Sequence, residues 1–412
     1  MTAQPQSYQS EISVDPVTDW HSDFDHANPD YNRDVHEIWE DMREKCPVAH
    51  TERYGGVWLP VDHQAVRDIA YDTENYTSRQ VIVSPLRADD PPGIGGAPPI
   101  TSDPPFHKLA RRLLLPLFRP QAMAGWEDEV RKLCRQRLDA MGEIEPGTTI
   151  IDAAKQYAQF IPVTVIARML GLPPNDDDLF RKFVHDSIEG IGGTEEERRG
   201  ATERLQDYLD IQIEDHRANP RDDMISYLLN AELNGQPLSH EHVRGSVVLL
   251  LIAGIDTTWS AIGSSLWHLA QNPDDRKRMI NDPDVVPFAI EELLRAYAPV
   301  TMARLVAKDH EFNGCPMKTD EWVLLPFPAA NRDPKAFDRA DEVIIDREVN
   351  RHSAFGLGIH RCLGSNLARL ELRIAVEEFL ARFNDFELVD ADTVEWSVGQ
   401  IRGPRQLPVR IL

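Results

Sequence analysis

The chain carries, at residues 355–364, the stretch FGLGIHRCLG. Its cysteine, Cys362, ends a glycine-rich loop and directly precedes a segment that predicts a helix from about residue 364 to 383. Backbone amides at a helix N-terminus lower the pKa of a thiol, so Cys362 is a candidate metal ligand or nucleophile. Gly358 and Gly364 would allow the close approach of a flat, bulky group. A buried structural cysteine after a turn is the alternative interpretation.

The spacing of this stretch narrows the interpretation. Phe-x-x-Gly-x-His-x-Cys-x-Gly resembles the haem-binding loop of the cytochrome P-450 family, and the matching positions are Phe355, Gly358, His360, Cys362 and Gly364. The resemblance implies haem b, with the Cys362 thiolate as the proximal ligand of its iron. It also implies a mainly α fold, a single helical prism with a smaller β-rich part, and a monooxygenase that uses dioxygen as co-substrate.

Composition and charge exclude several other classes of protein. The chain has 412 residues, 42% of them apolar, and a formal net charge of −24. These values exclude a disordered chain, a collagen-like repeat and a disulfide-rich mini-protein. The acidic excess argues against a protein that binds nucleic acid or anionic membranes. The longest apolar run, residues 247–255, is too short to span a bilayer.

Cysteine usage and chain length bound the location and the number of domains. The four cysteines form no Cys-x-x-Cys pair, and the N-terminal residues lack the apolar segment of a signal peptide, so we expect a reducing, cytoplasmic setting. The length is compatible with one large domain or with two or three. The resemblance implies a single domain over residues 36–412, preceded by a loosely ordered lead-in at residues 1–35.

An acid–base pair, Glu292 and Arg295, shares one face of a helix predicted over residues 285–297. In most proteins such a pair is a solvated surface contact. Here the helix precedes Pro299, predicted strands and an arginine-rich meander, an arrangement that resembles the Glu-x-x-Arg motif of the family. The resemblance implies that this pair holds the meander in place, with Arg347 as the third member and with a structural role.

A second motif, AGIDTT at residues 253–258, lies in a long helix that is predicted to begin near Ser239. Burying Asp256 and Thr257 in an otherwise apolar helix is costly without a purpose, although a polar stripe against a neighbouring element is the alternative. A hydrogen bond from the Thr257 hydroxyl to the Ala253 carbonyl would loosen the helix locally. The motif resembles the oxygen-activation motif of the family, so Asp256 and Thr257 are predicted to relay protons for dioxygen activation.

Basic residues complete the haem site that the resemblance implies. Four side chains are predicted to bind the haem propionates: His107, Arg111, Arg304 and His360. Arginine suits a carboxylate because its guanidinium can donate two parallel hydrogen bonds. A solvated basic helix is the alternative for residues 107–112. Three further basic residues would face outward beside the haem as a redox-partner patch: Lys108, Arg112 and Arg361.

Electrons are expected to come from a separate protein. We recognise no fused flavin or iron–sulfur reductase segment in the sequence. The implied partner is an acidic ferredoxin, of the two-iron type, with its NAD(P)H reductase. Because the net charge of the chain would repel an acidic partner, attraction must come from the redox-partner patch.

Alignment with the family about its motifs predicts a substrate pocket. Six apolar residues would surround the distal side of the haem: Leu249, Ile252, Ala253, Val300, Met302 and Ile401. An apolar pocket suits a compact hydrophobic ligand, so we expect a small aromatic or terpenoid substrate, although some of these side chains could simply fill the core. Residues 81–100 and 188–193 would form mobile lids. Arg79, Arg87 and Arg402 lie near these walls in sequence, which leaves a carboxylate-bearing substrate open.

Two other functions remain open at this stage. One is a peroxygenase driven by hydrogen peroxide, and the other is a haem-based sensor or carrier with a cysteine ligand. The intact Asp256–Thr257 pair favours dioxygen activation. Substrate-dependent consumption of NAD(P)H with added redox partners would distinguish an enzyme from a sensor.

Overall fold

The computed structural model describes residues 16–45, 48–83, 96–174, 176–184 and 195–412. In these ranges the α-helices are α1 (Pro29–Arg33), α2 (Val35–Lys45), α3 (His63–Tyr71), α4 (Phe106–Leu114), α5 (Pro120–Ala124), α6 (Glu127–Asp139), α7 (Phe160–Leu170), α8 (Asp177–Val184), α9 (Glu195–Ala218), α10 (Met224–Leu229), α11 (His240–Gln271), α12 (Pro273–Asn281), α13 (Val286–Ala296), α14 (Phe327–Ala330) and α15 (Ser365–Arg382).

The β-strands form a smaller part, as the fold class predicted. They are β1 (Val48–Thr51), β2 (Val57–Pro60), β3 (Tyr76–Thr77), β4 (Ile150–Asp152), β5 (Glu232–Leu233), β6 (Gln236–Pro237), β7 (Thr301–Val306), β8 (His310–Phe312), β9 (Cys315–Met317), β10 (Trp322–Pro326), β11 (Phe386–Leu388), β12 (Glu395–Trp396), β13 (Pro404–Gln406) and β14 (Pro408–Ile411).

Helix α11 is the central helix of the helical part and matches the long helix predicted from the sequence. The Ser239 hydroxyl accepts a hydrogen bond from the His242 amide at 3.2 Å and so caps the helix start. Its 32 residues extend over about 48 Å and pack against α7, α9 and α15. By length and hydropathy α11 could cross a membrane, but most of its apolar window is buried inside the protein, as in the core helix of a globular domain.

The main sheet has five strands in the order β1-β2-β10-β7-β3. Its strands pair antiparallel except β2 and β10, which run parallel. A buried cluster that includes this sheet also contains Phe24, Tyr31 and Trp39 from the N-terminal part of the chain. The packed structure therefore begins before residue 36, where the sequence suggested a boundary. Residues 1–15 of the expected lead-in lie outside the described residues.

A buried ion-pair network ties α13 to the meander that precedes the cysteine loop. Glu292 and Arg295 are fully buried, and Arg295 Nε donates to Glu292 Oε2 at 2.8 Å. Arg347 Nε donates to the same oxygen at 2.9 Å, so the three residues predicted as a structural triad lie together. Burial alone would raise the pKa of Glu292, but hydrogen bonds from Arg295 and from the Ile344 amide outweigh it and lower the pKa.

Two buried carboxyl groups on α15 have opposite pKa shifts. Glu371 is 2% exposed, and its Oε2 has no hydrogen-bond partner among the described residues. Burial raises the pKa of Glu371 from the ordinary 4.5 to about 8. Burial would also raise the pKa of Glu378, but hydrogen bonds from Arg135 and Arg131, both at 2.7 Å, outweigh it and lower the pKa.

We expect Glu371 to destabilise the folded protein as the pH rises. The folded state keeps a proton on Glu371 that the unfolded chain loses. The contribution of Glu371 to stability is therefore most favourable below pH 4.5 and becomes less favourable between pH 4.5 and about 8. The slope is at most about 1.4 kcal/mol per pH unit. Glu371→Gln should raise the thermal unfolding midpoint at about pH 7.5 by roughly 2–5 °C and change it little near pH 4.5.

Glu378→Gln is the matched control on the same helix. Its carboxylate stabilises the fold above the unfolded pKa, so this substitution should lower the midpoint at neutral pH and do less in acid. Thermal unfolding of both variants and the wild type at the two pH values measures the difference. A Glu371→Gln protein less stable than the wild type at neutral pH would contradict the assignment.

Candidate active site

A cavity with about 1450 Å³ of empty space, part of it open to solvent, lies between α11 and the cysteine loop. One wall is the α11 face that carries Ala253, Gly254 and Thr257. On the cysteine loop, Phe355 and Cys362 line the cavity. Two motifs that lie about 100 residues apart in the sequence thus face each other across one space.

Glycines shape the cysteine loop. Gly358 has φ +66°, and a Cβ there would lie 2.3 Å from the Ala70 carbonyl oxygen on α3. A glycine is therefore required at position 358 by its positive φ and by the closeness of α3. The reason predicted from the sequence, close approach of a flat and bulky group, is corrected here. At Gly364 a Cβ would meet only Phe118, at 4.0 Å, and the residue lines the cavity, so here the expected open space is present.

Cys362 lines the cavity and is exposed to it, while the surrounding protein atoms desolvate its thiol. Helix α15 begins at Ser365, three residues further along the chain. Desolvation raises the pKa of the Cys362 thiol, and the Gly364 amide and Arg111 only partly oppose this. The amide just before the helix therefore lowers this pKa as predicted, but desolvation outweighs it and the net shift is upward. A bound metal cation would supply the missing stabilisation of a thiolate.

One end of the cavity is basic. Arg111 and Arg304 line it together with His360, whose Nε2 lies 2.9 Å from Ser78 Oγ. The rings of His107 and His360 are 4.4 Å apart, and His107 Nε2 has no hydrogen-bond partner among the described residues. Burial lowers the pKa of both histidines, so they are neutral, and it lowers the pKa of Arg304 to about 10. The four predicted propionate ligands therefore meet at one end of the cavity.

The predicted catalytic pair is divided between two sides of α11. The Thr257 hydroxyl donates to the Ala253 carbonyl at 3.0 Å, as the sequence predicted, and Thr257 lines the cavity. Asp256 is fully buried, is absent from the cavity wall, and pairs with Arg405 at 2.5 Å. Of the two residues predicted to relay protons, only Thr257 lines the cavity. Sequence reasoning missed Arg405, which lies 149 residues away.

Four of the six predicted pocket residues line the cavity: Leu249, Ala253, Val300 and Met302. Ile252 is buried in the core because it lies about 100° round the helix from Ala253. Ile401 forms a β-bridge with Val300 but packs against the core. Helical periodicity could have identified Leu250, which does line the cavity, whereas nothing in the local sequence pointed to Ile166 on α7.

The remaining predicted residues have these positions. Lys108, Arg112 and Arg361, the redox-partner patch, are exposed, and the Arg361 carbonyl accepts a hydrogen bond from Arg111 at 2.5 Å. Arg79 pairs with Asp320, and Arg402 packs over Trp396 and does not line the cavity. Arg87, residues 84–95 of the first predicted lid and all of the second, at 188–193, lie outside the described residues.

Comparisons with known proteins all point to the same family. The chain matches the family model described as Cytochrome P-450 over residues 190–400. It is 33% identical over 340 residues to a probable cytochrome P-450 127A1 from Sinorhizobium fredii, covering 82% of this chain and 80% of the relative. It is 33% identical over 383 residues to the steroid C26-monooxygenase of Mycolicibacterium smegmatis, covering 90% of this chain and 92% of the relative.

A solved structure supports the same relationship. CYP109E1 from Bacillus megaterium, crystallised in complex with testosterone, superposes with a TM-score of 0.85 at 28% identity. The match covers 93% of this chain and 99% of that structure. The similarity therefore extends over nearly the whole fold.

The residues around the cavity fit the haem of that family. A thiol faces the cavity, Gly364 leaves space beside it, and the apolar side chains of Phe355 and Leu363 line it. At the basic end, the buried guanidinium of Arg304, the partly exposed Arg111 and the unpartnered His107 Nε2 suit the propionates. Cys362 would be the iron ligand, and the four basic residues would hold the carboxylates.

We expect the purified protein to bind haem b through Cys362. The reduced protein with carbon monoxide should show the red-shifted Soret band typical of thiolate ligation, and Cys362→Ser should lose it. Cys315→Ser is the control, because this cysteine on β9 does not line the cavity and its loss should leave the band unchanged. Retention of the band in Cys362→Ser would refute the ligand assignment.

Proposed function

The chain belongs to the cytochrome P-450 family, and from that premise we propose that it inserts one oxygen atom of dioxygen into a small hydrophobic substrate, aromatic or terpenoid. As a haem-thiolate monooxygenase it converts substrate, dioxygen, NAD(P)H and a proton into hydroxylated product, water and NAD(P)⁺. The bound haem supplies the oxidation chemistry, and the chain supplies binding, orientation and protons. The proposal includes a cytoplasmic location.

The observation that carries the substrate proposal is the character of the cavity wall. Among the described residues that line the cavity, the charged side chains are Arg111 and Arg304, and both lie at the end assigned to the propionates. Apart from threonines on α11, the α11 side and the wall opposite are apolar, with Leu249 on α11 and Val300 and Met302 at the start of strand β7. An apolar wall favours a hydrophobic substrate.

A substrate carboxylate has less support than the sequence suggested. Arg79 is engaged with Asp320 on the surface, and Arg402 packs on Trp396 away from the cavity wall. Two similar proteins, the steroid C26-monooxygenase and CYP109E1 in complex with testosterone, are named with steroids, which are rigid apolar ligands. Their identity to this chain is too low to transfer a substrate, so the proposal rests on the cavity.

Thr257 and Asp256 are proposed to handle protons. The Thr257 hydroxyl lies on the cavity wall and its proton is held by the Ala253 carbonyl, so the hydroxyl oxygen is left to accept a hydrogen bond from a group in the cavity. The retained acid and alcohol favour dioxygen over a hydrogen-peroxide-driven peroxygenase. Coupled consumption of NAD(P)H on substrate addition would also exclude a haem-based sensor or carrier.

The redox partner is proposed to be an acidic ferredoxin of the two-iron type, with its NAD(P)H reductase. The redox-partner patch, Lys108, Arg112 and Arg361, is exposed and adjoins the cysteine loop. The chain as a whole carries a net charge of −24, so a local basic surface is required for an acidic partner to approach.

We expect a compact hydrophobic compound to bind best. The test is a panel of monocyclic aromatics, monoterpenoids, benzoates, fatty acids and testosterone, read by the high-spin shift of the haem and by product formation. Val300→Phe should lower the affinity for the best ligand by roughly tenfold, because an added ring overfills a compact site. Leu412→Phe, at the exposed C-terminus, is a control that should change nothing.

Some results would overturn this proposal. Tight binding and coupled oxidation confined to long-chain fatty acids would do so. Tight binding confined to testosterone would replace the small substrate with a steroid. An unchanged affinity and product pattern in Val300→Phe would remove that residue from the substrate wall.

We expect reversal of Arg112 to glutamate to slow reduction by ferredoxin. At low salt the rate should fall roughly 3–10-fold and the loss should shrink as salt is added, because a charge at the rim of an interface acts mainly on association. Substrate affinity should be unchanged. Arg217→Glu on α9, a helix with no residue on the cavity wall, carries the same charge change and should leave reduction unaffected. An equal loss with a small chemical reductant would contradict a docking role.

A further inference from the structure

Strand β13 lies directly against α11 beside the oxygen-activation motif. A Cβ on Gly403 would lie 2.3 Å from Ser260 Cβ, and a Cβ on Gly263 would lie 2.8 Å from Pro404 Cγ. The two elements therefore approach as closely as glycine permits. This contact brings the next residue of the strand, Arg405, onto the surface of α11.

The guanidinium of Arg405 is surrounded by side chains of α11. Nη2 donates to Asp256 Oδ1 at 2.5 Å, and Nη1 donates to Ser260 Oγ at 3.0 Å. The guanidinium carbon lies 4.2 Å from the centre of the Trp259 ring. Arg405 is 5% exposed and Asp256 is fully buried, so each charge depends on the other for compensation.

We propose that Arg405 is a positioning residue for Asp256. It holds the buried Asp256 carboxylate off the cavity wall, one residue before Thr257 on α11, so that protons reach the cavity by way of Thr257. This inference rests on the proposed catalytic role of Asp256. It adds a residue from the C-terminal strands to a motif that lies entirely within α11.

The step that Arg405 supports is the delivery of protons during turnover. Productive turnover delivers two electrons and two protons, and one oxygen atom leaves as water while the other enters the substrate. When proton delivery fails, the same two electrons and two protons leave with dioxygen as hydrogen peroxide. Loss of Arg405 should therefore reduce product per NAD(P)H and the turnover rate together.

The test compares Arg405→Gln, Arg405→Lys, Asp256→Asn and the double variant Asp256→Asn/Arg405→Gln. Arg405→Gln should lower turnover roughly tenfold and increase the solvent hydrogen isotope effect, with the carbon monoxide spectrum and substrate affinity unchanged. Arg405→Lys should keep more activity than Arg405→Gln because it retains the charge, but less than the wild type because it loses the forked hydrogen bonding and the stacking on Trp259. In the Asp256→Asn background, Arg405→Gln should cause no further loss, since two residues that act as one unit are not additive.

A second readout does not depend on activity. Each single neutral variant removes one charge of a buried ion pair and should lower the thermal unfolding midpoint, whereas the double variant should lose less than the sum. Arg276→Gln is the matched control: Arg276 is 2% exposed, pairs with Asp385 and packs over Phe386. It should lower the midpoint without changing turnover per haem or the isotope effect.

The outcomes separate this inference from the proposed function. If Asp256→Asn is impaired and Arg405→Gln is not, the positioning role is wrong while the role of Asp256 stands. If Asp256→Asn itself has wild-type turnover, both are wrong. Additive losses in the double variant would also overturn the inference. If Arg405→Gln fails to fold, Arg405→Lys and the double variant still test the positioning role. Both are then compared with Asp256→Asn.

Discussion

The buried guanidinium of Arg295 is the constraint on which the site depends. A fully buried cation must have a partner for each of its donors, and the five N–H groups of Arg295 all have one. Two are accepted by the Glu292 carboxylate, and three by the backbone carbonyls of Asn331, Ala340 and Glu342 at 2.6–2.8 Å. One side chain on α13 thereby fixes a meander that has little regular structure of its own. Removing it would take this donor from three carbonyls at once and leave the Glu292 carboxylate with its remaining donors, Arg347 among them.

The same constraint extends to the cysteine. Asn331, whose carbonyl Arg295 holds, accepts hydrogen bonds through Oδ1 from the amide and hydroxyl of Ser353 at 2.7 and 2.8 Å. Two residues later the Phe355 carbonyl accepts from the Cys362 amide at 2.7 Å, which closes the loop. The position of the thiol is therefore set by a continuous series of buried hydrogen bonds from α13. This rigidity suits a ligand that must hold a metal at one place in the cavity.

Local chemistry made part of this predictable from sequence, and long-range contacts made the rest unpredictable. The Ser239 cap, the apolar run of α11 and the glycine-rich loop are each encoded within a few residues, and the structure agrees with them. No local pattern indicates strand β4, because its pairing with β14 joins segments some 250 residues apart. The Asp256–Arg405 pair and the raised pKa of Cys362 likewise depend on the surroundings that folding supplies, which no local pattern contains.

Comparison of three buried arginines explains why the cavity is suited to an anionic cofactor. Arg295 and Arg405 each have a carboxylate partner at 2.8 Å or less. Arg304 is 6% exposed and donates a hydrogen bond to the Ala303 carbonyl. Asp103 interacts with it only electrostatically, and burial lowers the pKa of Arg304 to about 10. Its charge is thus the least compensated of the three, and it lies on the cavity wall. An anion bound beside Arg304 would compensate the buried charge and offset the cost of its desolvation. Binding of the cofactor and stability of the fold are therefore thermodynamically linked.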